Sequence, residues 1–412
     1  LAGGGVSLPD VSILADGTDV APWAFEVRVD RGRGRELDPP SAGICEFYLR
    51  NSDGLWNPGN TGGTVGSTSP PADLLAPGTK LAVNCDNGTA SDSTLFYGRI
   101  RSADYSYDVS GDAVVRVQAE DAMAGLARRN LTGFSHDVLA YGPAVRAVID
   151  NVDYVDQISV WGTALPLLEP ALGRGVTTIA PYGTAESEGV AALEYLTALE
   201  ATEQGRIYCT RQGYLTALGR YDSGFSAAVT FTDNPGSTAT YPVGYQTISG
   251  RSGGDVLYTR IIGYSPTDQA WRSVTAAGTA TYGLTSDLSM SNLRAANADL
   301  TEGVLGLLAE TYDDPEWRVQ EISCKPFATV AAGTALKLAL ELDLADAVTV
   351  EFTPTAGSAV TNVHIVQGVR HTITPGDHVM ALSLSVKQWN RDDLIVLDTS
   401  TLGTAGTDTL AY

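Results

Sequence analysis

Three histidines, His364, His371 and His378, recur every seven residues. Imidazole is the commonest metal ligand and the usual general base near neutral pH. Strand alternation puts His371 on the apolar face with Val363, Ile365, Val369 and Ile373, and His364 on the opposite one. A turn separates both from His378, so the spacing predicts packed or hydrogen-bonded core histidines, not a compact ligand set. Only His136 remains, and no G-x-S-x-G elbow is present to place the serine of a Ser-His-Asp triad. The acid pairs Asp313-Asp314 and Asp392-Asp393 fall at element ends, where solvated turns and caps are ordinary. Cys45, Cys85, Cys209 and Cys324 form no C-x-x-C pair and read as isolated thiols in strands or cores. No catalytic or cofactor-binding constellation is predicted.

Two loops carry denser chemistry. Asn51-Ser52-Asp53-Gly54-Leu55-Trp56-Asn57 offers oxygens at alternate positions around a glycine, as calcium loops do. It lacks a closing bidentate acid and its glycine is misplaced for an EF-hand, so ordinary turn chemistry is the expectation and no metal is assigned. Arg31-Gly32-Arg33-Gly34-Arg35 is the one dense basic cluster, but Glu36 and Asp38 follow at once. The run reads as a locally compensated turn, neither an RNA-binding tract nor a P-loop, since no G-K-[ST] follows.

The balance of the chain limits partners. With 48 acidic and 26 basic residues among 412, the net charge is −22, which disfavours gripping nucleic acid or an anionic membrane through phosphates. No apolar run approaches the roughly 20 residues needed to cross a bilayer, and no leader pattern opens the sequence, so a soluble, unsecreted chain is expected. At roughly 100–200 residues per domain, two to four domains are expected.

The elements that would hold these residues read as β, then α+β, then β. From 11 to about 125, alternations such as Phe25-Val27-Val29 and Cys45-Phe47-Leu49 predict half-buried strands of a small barrel or sandwich, with a hairpin at Val109-Ser110-Gly111-Asp112 and a long loop over Thr61–Pro71. Between 126 and 240 helical spacing appears: Pro143 opens a short helix carrying Val145, Val148 and Ile149, and a second runs from Glu188 to Gln204 with Gly205 as its left-handed stop. A hairpin over 207–218 follows. Residues 241–284 and 335–388 predict a second β module. It is interrupted over 285–334 by a helix carrying Leu293, Ala296, Leu300, Val304 and Leu308, capped by Ser or Thr and stopped at Asp313-Asp314-Pro315. Alternation from Leu336 onward ends in a hairpin around Thr374-Pro375-Gly376-Asp377. Residues 389–412 read as an extended arm. Two β units of similar size hint at an internal duplication.

The run RGRGRELDPPSAGICEFYLRNSDGLWNPGN resembles the opening of a family of minor tail proteins of long-tailed bacteriophages. In that family an Arg-Gly-Arg turn, Glu-Leu-Asp, a small-residue spacer, a strand and an Asn-x-Asp-Gly-x-x-x-Pro loop follow in order. The matching residues are Arg31, Gly32, Arg33, Glu36, Leu37, Asp38, Gly43, Asn51, Asp53, Gly54 and Pro58. Leu75-Ala76-Pro77-Gly78, the strand Leu95–Ile100 with Gly98, and Val366–Pro375 with His371 match further on.

The resemblance implies a baseplate hub, or tail-associated protein, similar to contractile-tail hubs and type VI secretion spike proteins. It implies two related antiparallel β-barrels, each with an α+β companion, and three chains in a ring whose six barrels imitate a six-fold tube. It further implies a siphophage tail-tip location in the virion after assembly in the host cytoplasm. The implied partners are the distal tail protein, the tape measure protein and tip or fibre proteins, with DNA passing through the lumen unbound. No enzyme activity and no cofactor are implied. Two other readings stand beside it: a cell-wall or carbohydrate-acting enzyme, from the acid pairs and Trp23, Trp56 and Trp161, and a receptor-binding tail adhesin.

Overall fold

The computed structural model describes residues 8–386 except 9–10, 36, 61–62, 66–70, 110–112, 153–174, 223–226, 235–236, 238, 252–256, 268, 277–285, 313–317, 330–332 and 356. Glu36, Ser110-Gly111-Asp112, most of the Thr61–Pro71 loop, Trp161, Asp313-Asp314-Pro315 and the 389–412 arm with Asp392-Asp393 lie outside the described residues.

Alternating apolar positions build seven N-terminal strands: β1 (Val11–Ala15), β2 (Thr18–Asp19), β3 (Ala24–Gly32), β4 (Ile44–Arg50), β5 (Lys80–Cys85), β6 (Ser93–Tyr107) and β7 (Ala113–Glu120). Every second residue, such as Val27, Val29, Cys45, Phe47 and Val117, is fully buried, which is the period-two burial that a one-sided sheet requires. The spatial order is β2-β1-β5-β6-β7-β4-β3, antiparallel throughout.

A smaller α+β unit follows, with the pair β8 (Leu139–Ala140) and β9 (Thr178–Ile179) and the hairpin β10 (Arg206–Cys209) and β11 (Leu215–Leu218). Helices Tyr141–Asn151 and Ala192–Glu203 bury Val145, Val148 and Ile149 with Tyr195, Leu196 and Leu199 in a separate cluster. Pro143 lies in the first helical turn, as expected. The left-handed stop is Gln204 at φ 56°, not Gly205. Gly205 is required for space, since a β-carbon there would lie 2.2 Å from the Leu218 carbonyl oxygen.

Seven more strands complete the main sheet: β12 (Ala227–Thr232), β13 (Pro242–Gly244) and β14 (Thr247–Arg251), then, beyond β15 (Arg260–Ser265), β16 (Ala270–Thr275) and β17 (Asp287–Met290), the strands β18 (Arg318–Cys324), β19 (Ala347–Phe352), β20 (Val360–Thr374) and β21 (Asp377–Val386). β15, β16 and β17 form their own sheet under the helix Ala298–Thr311, whose Val304, Leu305 and Leu308 pack with Ile261. That helix is capped by Asn297, whose side chain accepts the Leu300 amide at 2.8 Å, not by Ser or Thr, and Leu293 and Ala296 precede it. The segment from Leu336 is likewise not all strand: Thr334–Leu340 is a helix burying Leu336, Ala339 and Leu340 at three- and four-residue spacing. Sheet pairing also departs from the expected limits, since β12 joins the main sheet although it falls within 126–240, and β15 and β16 leave it.

The second set runs β13-β12-β19-β20-β21-β18-β14. With each set numbered one to seven along the chain, both orders read 2-1-5-6-7-4-3. The one topological difference is that β12 pairs in parallel with both β13 and β19. The repetition extends to single hydrogen bonds. Gly78 (φ 92°) donates to the Ile100 carbonyl, and Ile100 donates to Thr79; Ala345 (φ 69°) donates to the Val366 carbonyl, and Val366 donates to Asp346. In each long strand the next residue, Arg101 or Gln367, is a bulge.

The sets join where β20 pairs antiparallel with β3, from Gly368 opposite Gly32 to Ile373 opposite Val27, making one 14-stranded sheet. Among the described residues no sheet closes into a barrel; in the first set β20 takes the edge of β3 that closure would use. The fold is therefore mainly β with α+β elements. No helix among the described residues is long and apolar enough to cross a membrane.

Candidate functional site

The Arg-Gly-Arg run ends β3 at the point where three parts of the chain meet. Gly32 has φ 86°, and a β-carbon on it would lie 2.3 Å from the Gln367 carbonyl oxygen and 2.9 Å from the Gly368 Cα. Only glycine permits both the left-handed turn and that approach. Arg31, 2% exposed, donates Nη1 to Asp343 Oδ1 at 2.7 Å in the loop before β19. Asp343 Oδ2 in turn accepts the Arg211 amide at 2.8 Å from the α+β unit.

Arg33 binds outward in three directions. Its Nε donates to Gln367 Oε1 at 2.9 Å, and its Nη1 donates to Glu200 Oε1 at 2.8 Å and to the Asp38 carbonyl at 2.9 Å. Glu200, buried in the helix Ala192–Glu203, also accepts the Ile207 amide at 3.0 Å. Arg31 and Arg33 thus find carboxylate partners beyond their own turn, and Glu36 lies outside the described residues. Their carboxylates come from 167 and 312 positions away, a distance that local charge patterning does not report.

Gly43 and Asp121 close the same corner. The Gly43 amide donates to Asp121 Oδ2 at 2.8 Å and the Met123 amide to Oδ1 at 2.9 Å. Burial nevertheless pushes the Asp121 carboxyl up to about 7, against the opposite pull of those amides and of Arg31. Asp346 is raised to about 6 for the same reason, burial, beside the Asp343 amide it accepts. Leu37, 39% exposed, and Asp38 line a groove of about 380 Å³ with Arg251, Tyr258, Arg318 and Glu321.

The Asn51–Asn57 loop is held mainly by its own side chains, with the Tyr107 hydroxyl also donating to Asn57 Oδ1 at 2.8 Å. Asn51 Oδ1 accepts the Trp56 amide at 2.8 Å, Asn51 Nδ2 donates to Asn57 at 2.8 Å, and Asp53 Oδ1 accepts the Leu55 amide at 3.1 Å. Gly54, at φ 71°, and Pro58 complete the turn. The result plugs Trp56, 0% exposed, edge-on against Trp23 at 5.6 Å. Gly98 is sterically required: a β-carbon would sit 2.5 Å from the Glu120 carbonyl oxygen and the Phe96 ring.

The histidines are closer than their spacing predicts. His371 Nδ1 lies 3.0 Å from His378 Nε2, both rings buried, and burial lowers both below the ordinary histidine range. His364 does not face away from His371. The bulge at Gln367 reverses the alternation, so His364 and His371 share a side while Val363 and Ile365 lie on the other. His136 bonds the Tyr195 hydroxyl at 2.7 Å. All four cysteines are buried and outside any disulfide. What converges here is joinery: paired charges, close glycines and buried turns.

The fold is shared with known tail proteins. The tail protein of Neisseria meningitidis MC58 is similar with a TM-score of 0.58 at 11% identity, over 92% of this chain and 96% of that one. The 43 kDa tail protein of prophage MuSo2 from Shewanella oneidensis is similar with a TM-score of 0.60 at 12% identity, over 92% of this chain and 98% of that one. No protein-family model matches the chain, and no curated protein does. At such low identity the likeness establishes the fold, which is that of phage tail proteins.

Proposed function

We propose that the chain is a non-enzymatic baseplate-hub protein of a siphophage tail tip. Three copies form a ring whose six β modules match a six-fold tube. The ring joins the distal tail protein to tip or fibre proteins, and the tape measure protein and DNA use its channel. The observation that carries this reading is the repeated 2-1-5-6-7-4-3 strand order, because a chain with two equivalent modules is what lets three copies present six. The fold shared with tail proteins over nearly the whole chain supports it.

The domain division that goes with this reading has a first β module through Asp121 and an α+β unit from there to Asp222. A second β module spans β12–β14 and β18–β21, with β15–β17 and the helix Ala298–Thr311 inserted, and each β module curls as an open barrel. The net charge of −22 suits a passage that must not hold DNA phosphates. On the polar face of the sheet, charges are largely paired, as in Arg116–Glu46, Arg101–Glu120 and Arg370–Asp30.

Solution mass and electron-microscope imaging test the reading. Three copies around a central hole are the expected result. A chain that stays monomeric, alone and with tail partners, overturns it.

A further inference from the structure

The joint inside the chain specifies a joint between chains. In the strand order of each set, β3 and β14 are equivalent, and so are β6 and β20. The β3–β20 joint pairs the third strand of the first set with the sixth of the second. The complementary halves, the sixth strand of the first set and the third of the second, are left over.

Both have an open edge. β5 covers β6 only as far as Arg99, with Gly78 and Thr79 bonding Ile100 just beyond. Among the described residues no strand pairs with that edge over Ser102–Tyr107, and none pairs with β14 on the side away from β18. Bare edges of this length are normally covered. In β20 the segment after the bulge, from Gly368, is the one that β3 occupies; in β6 the segment after the bulge, from Ser102, is the one left open.

We infer that Ser102–Tyr107 of one copy pairs antiparallel with β14 of the next copy, reproducing the β3–β20 joint between chains. The inference rests on the ring reading above and names its contact surface. The bulges align Arg101 with Gln367, and the neighbouring ladders align Val27 with Ile248. The register that follows places Tyr107 opposite Ile248, Ser106 opposite Ser249, Tyr105 opposite Gly250 and Asp104 opposite Arg251.

That register carries a chemical check. In the joint within the chain, Arg370 on β20 pairs with Asp30 on β3 at 3.2 Å. The equivalent positions are Asp104 on β6 and Arg251 on β14, the same pair with its signs exchanged. Tyr105 meets a glycine, which leaves room for its ring. Because the two edges differ, the contact is heterologous, the kind that builds a ring when the rotation from copy to copy closes. Each chain adds two modules, so three chains close at six.

Two sets of variants of the full chain test the register. Directly opposed residues of antiparallel strands have Cα atoms about 4.5–5.5 Å apart, within disulfide reach, and the four native thiols are buried. Under oxidation, Ser106→Cys with Ser249→Cys is expected to give a covalent ladder ending at three chains, with neither single variant doing so. Asp104→Arg is expected to weaken trimer association about tenfold or more, and adding Arg251→Asp to restore it. Trimers that form without cross-linking and ignore the charge exchange overturn this register and leave the ring standing. Monomers throughout overturn both.

Discussion

Arg31 and Asp343 are bonded at 2.7 Å across 312 positions of chain, with the guanidinium almost sealed from water. A buried ion pair adds little over an apolar pair of the same shape, but removing one partner strands the other. Asp343 keeps two amide donors, from Arg211 and Leu344, so part of its demand would survive. Arg31→Ala is expected to cost about 3 kcal/mol. Arg28→Ala, which breaks the exposed pair with Glu26, is expected to cost under about 1 kcal/mol. Urea unfolding midpoints of the two variants check the contrast, and equal costs would refute it.

The glycine opposite Gly368 makes a second contrast possible. Gly17 and Gly32 have nearly the same backbone, φ 83° and 86°, but a β-carbon on Gly17 meets nothing within 4 Å. Gly17→Ala should therefore cost only the left-handed penalty of about 1 kcal/mol. Gly32→Ala adds a clash with the β20 backbone and should cost about 3 kcal/mol or more. Thermal unfolding of both variants measures the cost of the joint itself.

Acid should loosen the β20–β21 hairpin. Burial lowers His378 from its ordinary 6.5 to about 4 and likewise drives His371 well below the ordinary value. The unfolded chain then binds more protons than the folded one below pH 6.5, so the stability held by the neutral pair is complete above that value and is lost as pH falls through about 4. His378→Leu should be less stable than the wild type at neutral pH, yet lose less on acidification. Melting temperature against pH for both proteins decides it, and parallel curves would be the contrary result.

Asp121 works in the other direction. Its carboxyl is raised from 3.8 to about 7, so its stabilisation is complete below pH 3.8 and is lost as pH rises through about 7. Asp121→Ala should remove that decline while lowering stability at every pH, because the Gly43 and Met123 amides lose their acceptor. The same melting series reads this out.

In the Asn51–Asn57 loop the turn is held by its own side chains. Asn51→Ala strands the buried Trp56 amide and should cost about 1–3 kcal/mol. Chelator or added calcium should leave the melting temperature of the wild type unchanged, whereas a calcium-dependent rise would make the loop a metal site.

Much of this was legible in the chain. The alternation of Met380, Leu382 and Leu384, the turn at Thr374–Asp377, the first-turn Pro143 and the Asn-Asp-Gly loop each encode their structure within a few residues. What escaped depends on partners far away. One bulge at Gln367 turns His364 to the side of His371, and no local pattern marks a bulge. The carboxylates serving Arg31 and Arg33 lie in other parts of the fold. The place of β12 in the main sheet is not local either, because parallel pairing with β13 and β19 follows from the assembled sheet and its short apolar run does not announce it. Leu336, Ala339 and Leu340 do not announce their helix because seven residues are too short to separate the two periods.

β20 belongs to both halves of the molecule: its first part bonds β19, its second part bonds β3, and β21 runs beside nearly its whole length. A force applied to one half therefore loads main-chain hydrogen bonds of the other in shear. A push or a twist on one strand set is thus expected to reach the other through the shared sheet.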